Sequence, residues 1–238
     1  MKSSAKKVEL ASVDDLFSTE ESRADAQREK VVEIPLSELH PFKGHPFKVK
    51  DDEAMMETAD SIKQYGVLVP AIARPDPEGG YELVAGHRRH RASELAEKET
   101  MPVIVRDLDD DAATIIMVDS NLQRESLLPS ERAFAYKMKA EALAHKGYRT
   151  DLTSVQVAPK LATEQIAEDA GTSKDTIKRY IRLTNLIPEI LQYVDDGRIA
   201  FTPAVELSYL NEQEQYDLLE QMELNDCTPS LSQACRFK

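Results

Sequence analysis

Gly86-His87-Arg88-Arg89-His90-Arg91-Ala92 places three arginines within four residues of one another, directly behind a glycine. A short β-rich run, 81–85, precedes the glycine, so a strand should end there and a helix begin. Amides at a helix start lack intrahelical acceptors and face the positive end of the dipole, which favours an anion. Glycine lets backbone approach closely, and the forked donors of arginine match phosphate oxygens. The segment reads either as a polyphosphate cradle or as a solvated basic helix face. It is not a Walker A loop, because GxxxxGK[ST] occurs nowhere in the chain. His87 and His90 stand at i, i+3 among arginines, and such cationic neighbours argue against a metal cation.

A second constellation spans 163–182, where two short helices flank a Gly-containing turn at helix-turn-helix spacing. Ile166, Ala167 and Ala170 should pack the first helix, and Gly171 should form the turn. Thr172 and Asp175 have capping-box spacing for the second helix. Ile177 and Ile181 are its inward face at i, i+4. Lys174, Lys178, Arg179 and Arg182 point outward, with Ser173 and Thr176 at the start. In a recognition helix the first residues reach base edges and later basic ones grip phosphates. An ordinary helical hairpin with a basic surface would read the same way. A third stretch, Asp119-Ser120-Asn121-Leu122-Gln123-Arg124-Glu125, brings Asn121, Arg124 and Glu125 within about one helical turn. It could meet a phosphate or a magnesium ion, or simply be a polar helix end.

The elements that must position these residues change character along the chain. Residues 1–30 are polar and read as a tail, with 12–17 able to cap a short helix. Residues 31–125 read as α/β, with strands at 31–35, 67–74, 81–85 and 101–106 and helices at 52–65 and 87–98. The strand at 67–74 should be entered through a kink at Pro70 and pair with 81–85 as a hairpin. From 112 onward only helices are expected, at 112–122, 129–146, 163–170, 173–184, 188–195 and 212–222, with another starting near Ser230. Pro159, Pro188 and Pro203 punctuate them. The division is a tail (1–30), an α/β domain (31–125) and a helical domain (126–238) with the helix-turn-helix at 163–184. The fold class is therefore α+β.

The 238 residues are 41% hydrophobic and 31% charged, enough for one large or two modest domains with real cores. Two cysteines, Cys227 and Cys235, exclude a disulfide scaffold and suit a reducing compartment. No apolar h-region follows the N-terminus, and the longest apolar run, 67–73, is too short to span a bilayer. The expectation is a cytoplasmic protein that does not use a membrane. The net charge of −13 argues against nucleic acid when taken alone, but its distribution argues otherwise. Residues 205–226 hold seven acids and no base, whereas 173–182 hold four bases and one acid. That local reversal is the main sequence-level warrant for DNA.

Together and in this order, Gly66-Val67-Leu68-Val69-Pro70, the 86–92 box, Asn121-Leu122-Gln123-Arg124-Glu125 and the helix-turn-helix resemble the ParB family of chromosome and plasmid partition proteins. The resemblance spans roughly 31–225. It implies a small ParB/sulfiredoxin-like α/β domain followed by an all-α helix-turn-helix domain. It also implies a homodimeric clamp that reads a palindromic centromere-like DNA site, binds CTP with Mg2+, slides along DNA and works with a ParA-type ATPase. Such a protein would be bacterial and nucleoid-associated. Carried over by motif, the nucleotide contacts are Val69, Pro70, Gly86, His87, Arg88, Arg89, Arg91, Asn121, Arg124 and Glu125, with Asn121 also at the metal. The DNA contacts are Gln165, Thr172, Ser173, Lys174, Thr176, Lys178, Arg179 and Arg182.

Three departures qualify the resemblance. His87 and Ser120 stand where the family usually carries glutamates associated with hydrolysis. A carboxylate can orient water or hold a metal better than serine can, so CTP is expected to bind and to be hydrolysed slowly, not at all, or with help from other residues. No catalytic residue is assigned. The chain also stops at Lys238, where the family continues into a dimerisation domain. Being naturally short and being shortened are both open, and either way a closed ring should be harder to maintain. A sulfiredoxin-type reaction lacks its nucleophile, because Gly86 occupies the cysteine position. A small-molecule kinase on the same scaffold would not need the helix-turn-helix. The remaining alternative is a nucleotide-independent or nucleoid-occlusion-type DNA-binding regulator.

Overall fold

The structure is a computed structural model that describes residues 30–124, 127–150 and 158–237, the side chains of 147–150 and 158–161 excepted. The expected tail helix at 12–17 lies outside the described residues. The first half is a mixed five-stranded sheet. Its strands are β1 (Val31–Pro35), β2 (Leu39–Pro41), β3 (Ala71–Pro75), β4 (Tyr81–Ala85) and β5 (Thr100–Val105), in the order β1-β5-β3-β4-β2. The β3–β4 hairpin expected from sequence forms, antiparallel, with Ala73 opposite Leu83 and an irregularity between Ile72 and Ala73. β5 lies parallel to β3 and antiparallel to β1, and the three-residue β2 runs parallel to β4. Side chains alternate across the sheet. Ala71, Ala73, Leu83, Met101 and Val103 form a buried layer on one face. Val84 and Ile72 pack with Phe42, Phe47 and Met117 on the other.

Helices cover both faces. Helix α1 (Glu53–Tyr65) starts at Asp52, whose carboxylate accepts from the Met55 amide, and stops at Gly66, as expected. Met55, Ala59 and Ile62 pack it against Ala92 and Ala96 of and beside α2 (His87–Leu95). Helix α3 (Asp110–Leu122) is capped by Asp109 and lies under β4. One expectation is corrected here. The strand read at 67–74 begins only at Ala71, because Pro70 has no N–H to give a ladder. The carbonyls of Val69 and Pro70 turn instead to an arginine of α2.

The second half is helical. It comprises α4 (Pro129–Thr150), α5 (Ala158–Asp169), α6 (Lys174–Leu183), α7 (Pro188–Asp195), α8 (Phe201–Leu207), α9 (Glu212–Asn225) and α10 (Leu231–Phe237). Helix α4 packs on α3 and on α5 and α6, so it runs along both halves. Tyr136, Ile166, Ala167 and Ile177 form one buried cluster at that crossing. Leu183, Ile190, Val194, Leu207 and Met222 belong to the larger core of α6–α10. Buried Gln215 ties this core together. Its Oε1 accepts from the Ile187 amide at 2.8 Å and its Nε2 donates to the Asn185 and Leu210 carbonyls.

Helix α8 has no counterpart among the helices expected from sequence, where Pro203 reads as punctuation. Pro203 sits in the first turn of α8, where a missing N–H leaves no helical bond unmade. The cap of α6 also shifts by one residue. Ser173, not Thr172, is the N-cap, its Oγ accepting from the Thr176 amide at 3.1 Å. The Thr172 amide is already used, donating to Ala167 O and closing the end of α5.

Candidate functional site: a basic helix start and the second helix of the helix-turn-helix

Gly86 makes the turn from β4 into α2 at φ 110°, a backbone region that L side chains rarely adopt. A Cβ there would stand 2.9 Å from Ala71 Cβ on β3. Glycine therefore sets how closely the start of α2 approaches the sheet. From that start the arginines diverge. Arg89 donates to the carbonyls of Val69 and Pro70, the latter at 2.7 Å, and so pins the loop that leads into β3. Arg91 pairs with Asp51 at 2.6 Å and with Glu94 at 3.1 Å, while Arg88 reaches Asp52 at 3.4 Å. Asp51 and Asp52, at the start of α1, are partners that sequence spacing could not announce, since they lie 40 and 36 residues away.

Arg88 and Arg124 line a cleft of about 690 Å³ together with Lys48, Lys50, Asp52 and Glu131. Four cationic groups face two carboxylates, so the cleft suits an anion. Burial holds Arg124 below the usual guanidinium range and the nearby Arg88 lowers it further. Burial also lowers Arg89. A polyanion would relieve this crowding of like charge. Lys48, Lys50 and Glu131 were not foreseen. Glu131 is buried, and its two oxygens accept from the Lys48 and Leu128 amides at 2.8 and 3.0 Å. It thereby holds the loop carrying Lys48 against the start of α4. Asp195 of α7 joins from below, accepting from the amide and hydroxyl of Ser130.

His87 is buried at 8% exposure, with its ring 3.8 Å from that of His45 and its Nε2 accepting from the Phe42 amide at 3.4 Å. Burial first, then His45, His90 and Arg124, push its pKa down to about 3. It is therefore neutral at physiological pH and takes protons poorly. Asn121 is also buried, its Nδ2 donating to Met117 O and to Ser120 Oγ. Glu125 lies outside the described residues. Among the described residues no group of three His, Cys, Asp or Glu could cage a metal.

Helix α6 presents a second surface. Ile177 and Leu183 are buried beneath it, while Ser173, Lys178 and Arg179 are exposed. Gln165 is exposed on α5, and Thr172, Lys174 and Thr176 are half-buried at the turn. Lys174 pairs with Glu164 at 3.0 Å and Lys178 with Asp175 at 3.8 Å. Arg179 donates to Thr202 Oγ1 and lies over the Phe201 ring. Arg182 donates to Ser208 O and lies 4.0 Å over the Tyr209 ring, both just past the end of α8. The structure thus places seven of the eight residues expected at DNA on α6 and its turn, with Gln165 on α5, and gathers the box at 86–92 with Val69 and Pro70. Arg124 joins that box across the cleft from Arg88.

Two family models match this chain. Residues 20–122 match the family model of the ParB N-terminal domain, and residues 147–228 match that of the ParB HTH domain. The chain is 37% identical over 169 residues to the chromosome-partitioning protein Spo0J of Thermus thermophilus, covering 71% of this chain and 56% of the relative. It is 30% identical over 208 residues to a nucleoid occlusion protein of Lysinibacillus sphaericus, covering 87% of this chain and 64% of that one. The chain spans somewhat more than half the length of such relatives. Among solved structures, it resembles a C-terminally truncated chromosome-partitioning protein ParB from Caulobacter crescentus complexed with CTP-γ-S. The identity there is 30%, the TM-score 0.38, and the coverage 82% of this chain and 99% of that one.

Proposed function

The chain belongs to the ParB family, and from that premise we propose that it is a DNA-binding partition protein whose α/β half is a CTP-dependent clamp element. The carrying observation is the basic cleft against the start of α2, in which Arg88 and Arg124 are crowded and only partly neutralised. In this reading the amides behind Gly86, with Arg88, Arg89 and Arg91, hold the triphosphate. Val69 and Pro70, fixed by Arg89, flank the nucleotide. Asn121 offers a neutral oxygen to the Mg2+ that CTP brings, and Arg124 and Glu125 complete that box. Mg2+ supplies charge neutralisation on the phosphates.

Hydrolysis is slow in this proposal. His87 is buried, neutral and committed to the Phe42 amide, and Ser120 turns its hydroxyl to Met117 O. The helical half, from about residue 126, reads a palindromic centromere-like site through α5 and α6. Gln165, Thr172, Ser173, Lys174, Thr176, Lys178 and Arg179 make the contacts, and Arg182 contacts DNA last because Ser208 and Tyr209 retain it. A homodimer on bacterial nucleoid DNA and a ParA-type ATPase complete the proposal. No helix of the described residues is long and apolar enough to cross a membrane.

The test is a calorimetric titration with CTP and magnesium, with ATP, GTP and UTP as controls. Selective CTP binding that Arg89→Ala abolishes is the expected result. Absence of CTP binding would favour the second reading, a nucleotide-independent or nucleoid-occlusion-type DNA-binding regulator; the nucleoid-occlusion relative bears only on the second of these forms.

A further inference from the structure

Lys139 of α4 is a lysine with only 3% of its side chain exposed. Its ammonium donates at 2.7 Å to Asp119 on α3 and at 2.8 Å to Asp169 on α5, and both carboxylates are about half exposed. A buried ion pair is often no more stabilising than a well-packed apolar residue of similar size. Its recurrent use is to specify geometry, and the geometry specified here joins two sites. Asp119 lies on the last turns of α3, two residues before Asn121 of the nucleotide box. Asp169 is the last residue of α5, directly before the turn into the reading helix.

The apolar cluster of Tyr136, Ile166, Ala167 and Ile177 packs the crossing, but it leaves space at the ion pair itself. Beside the ammonium, between α3, α4 and α5, lies an open cavity of about 460 Å³ bordered by Gln123, Arg132 and Tyr136. One carboxylate would pair the charge. Two, from different helices, fix the distance between those helices. The two aspartates together outweigh burial and keep Lys139 protonated, its pKa raised.

We propose that Lys139, with Asp119 and Asp169, is a positioning lock that makes the end of α3 and the helix-turn-helix move as one body. Resting on the function proposed above, the lock would transmit the state of the nucleotide box to the reading helix.

The test uses the full chain with Cys227→Ser and Cys235→Ser, which clear the two exposed thiols. Gln64→Cys on α1 and Glu189→Cys on α7 carry spin labels at exposed positions. Pulsed electron spin resonance then reads the distance between the halves, with and without CTP-Mg2+, and a thermal melt runs in parallel. Lys139→Met should broaden the distance distribution while the melting temperature holds or rises, a combination that mere loss of stability would not produce. A distribution as narrow as the parent's overturns the lock. Should Lys139→Met fail to fold, Asp119→Asn and Asp169→Asn, at half-exposed carboxylates, replace it. Broadening in either supports the lock, and in neither overturns it. Broadening in Lys139→Met when CTP moves nothing in the parent leaves the lock standing and sinks the nucleotide reading instead. Where CTP shifts duplex-DNA affinity in the parent, by roughly 5- to 150-fold as in coupled sites, Lys139→Met should bring that ratio close to unity.

Discussion

Replacing Gly86 by alanine tests whether the start of α2 is held against β3 by the absence of a side chain. Two independent penalties follow from the structure. The backbone sits at φ 110°, and holding a non-glycine residue in such a region costs about 1–3 kcal/mol. The new methyl would also stand 2.9 Å from Ala71 Cβ, on a fully buried strand residue that has nowhere to withdraw. Overpacking of this kind costs about 1–3 kcal/mol. Together they amount to about 2–6 kcal/mol, a large part of the 5–15 kcal/mol typical of a folded domain. Strain of this size is relieved by moving α2 away from the sheet, which displaces the amides and Arg89 together. Nucleotide affinity should therefore fall, about tenfold for each 1.4 kcal/mol lost at the site. Gly66→Ala is the control, since Gly66 has φ 75° and open space around its missing Cβ. It should show the backbone penalty alone and leave nucleotide binding intact. Urea unfolding and CTP calorimetry on both variants are the assays. Gly86→Ala within about 0.5 kcal/mol of the parent, with unchanged CTP affinity, would refute the reasoning.

Three further outcomes are expected. His87 has a folded pKa of about 3, below its ordinary 6.5, so its contribution to stability is complete above about pH 6.5 and is lost as pH falls toward 3. The slope in that window should approach about 1.4 kcal/mol per pH unit, and His45, also lowered by burial, adds in the same direction. An NMR titration showing His87 ionising near 6.5 would contradict this. Arg179→Ala should weaken duplex binding by about 1–3 kcal/mol while CTP affinity stays constant; equal loss of both would mean that the two sites are wrongly divided. Ser130→Ala deletes a 2.6 Å bond to the buried Asp195 carboxylate and should cost about 1.5–3 kcal/mol in a urea melt, a loss below about 0.5 kcal/mol counting against the junction between α4 and α7.

What could be read from sequence was local. The turn at Gly86, the stop at Gly66, the β3–β4 hairpin and the helix-turn-helix each depend on residues a few positions apart. Backbone preference and side-chain period act over that range. The family likewise follows from motifs whose order and spacing are linear properties. Three local features still escaped the sequence reading. Helix α8 was hidden because a proline in a first turn looks like a helix breaker. β2 is too short to show a period. The loop at 67–70 is rich in β-formers, but its carbonyls satisfy Arg89 rather than a neighbouring strand.

The character of the sites was decided by tertiary structure. Nothing near His87 in sequence reveals that Phe42 and His45 close over it and strip its charge. Arg91 has one near partner, Glu94, but its other partner and those of Arg88 and Lys139 are 20 to 40 residues away. Whether a charged side chain is a free phosphate donor, a strut or a lock depends on which opposite charges the fold brings within a few ångströms. Residue types and spacing thus determined a glycine turn into an arginine-rich helix start and a helix-turn-helix with a basic second helix. Only the packing of α4 between the two halves decided that a buried ammonium should join them, because ion pairing acts through space and the sequence records only order along the chain.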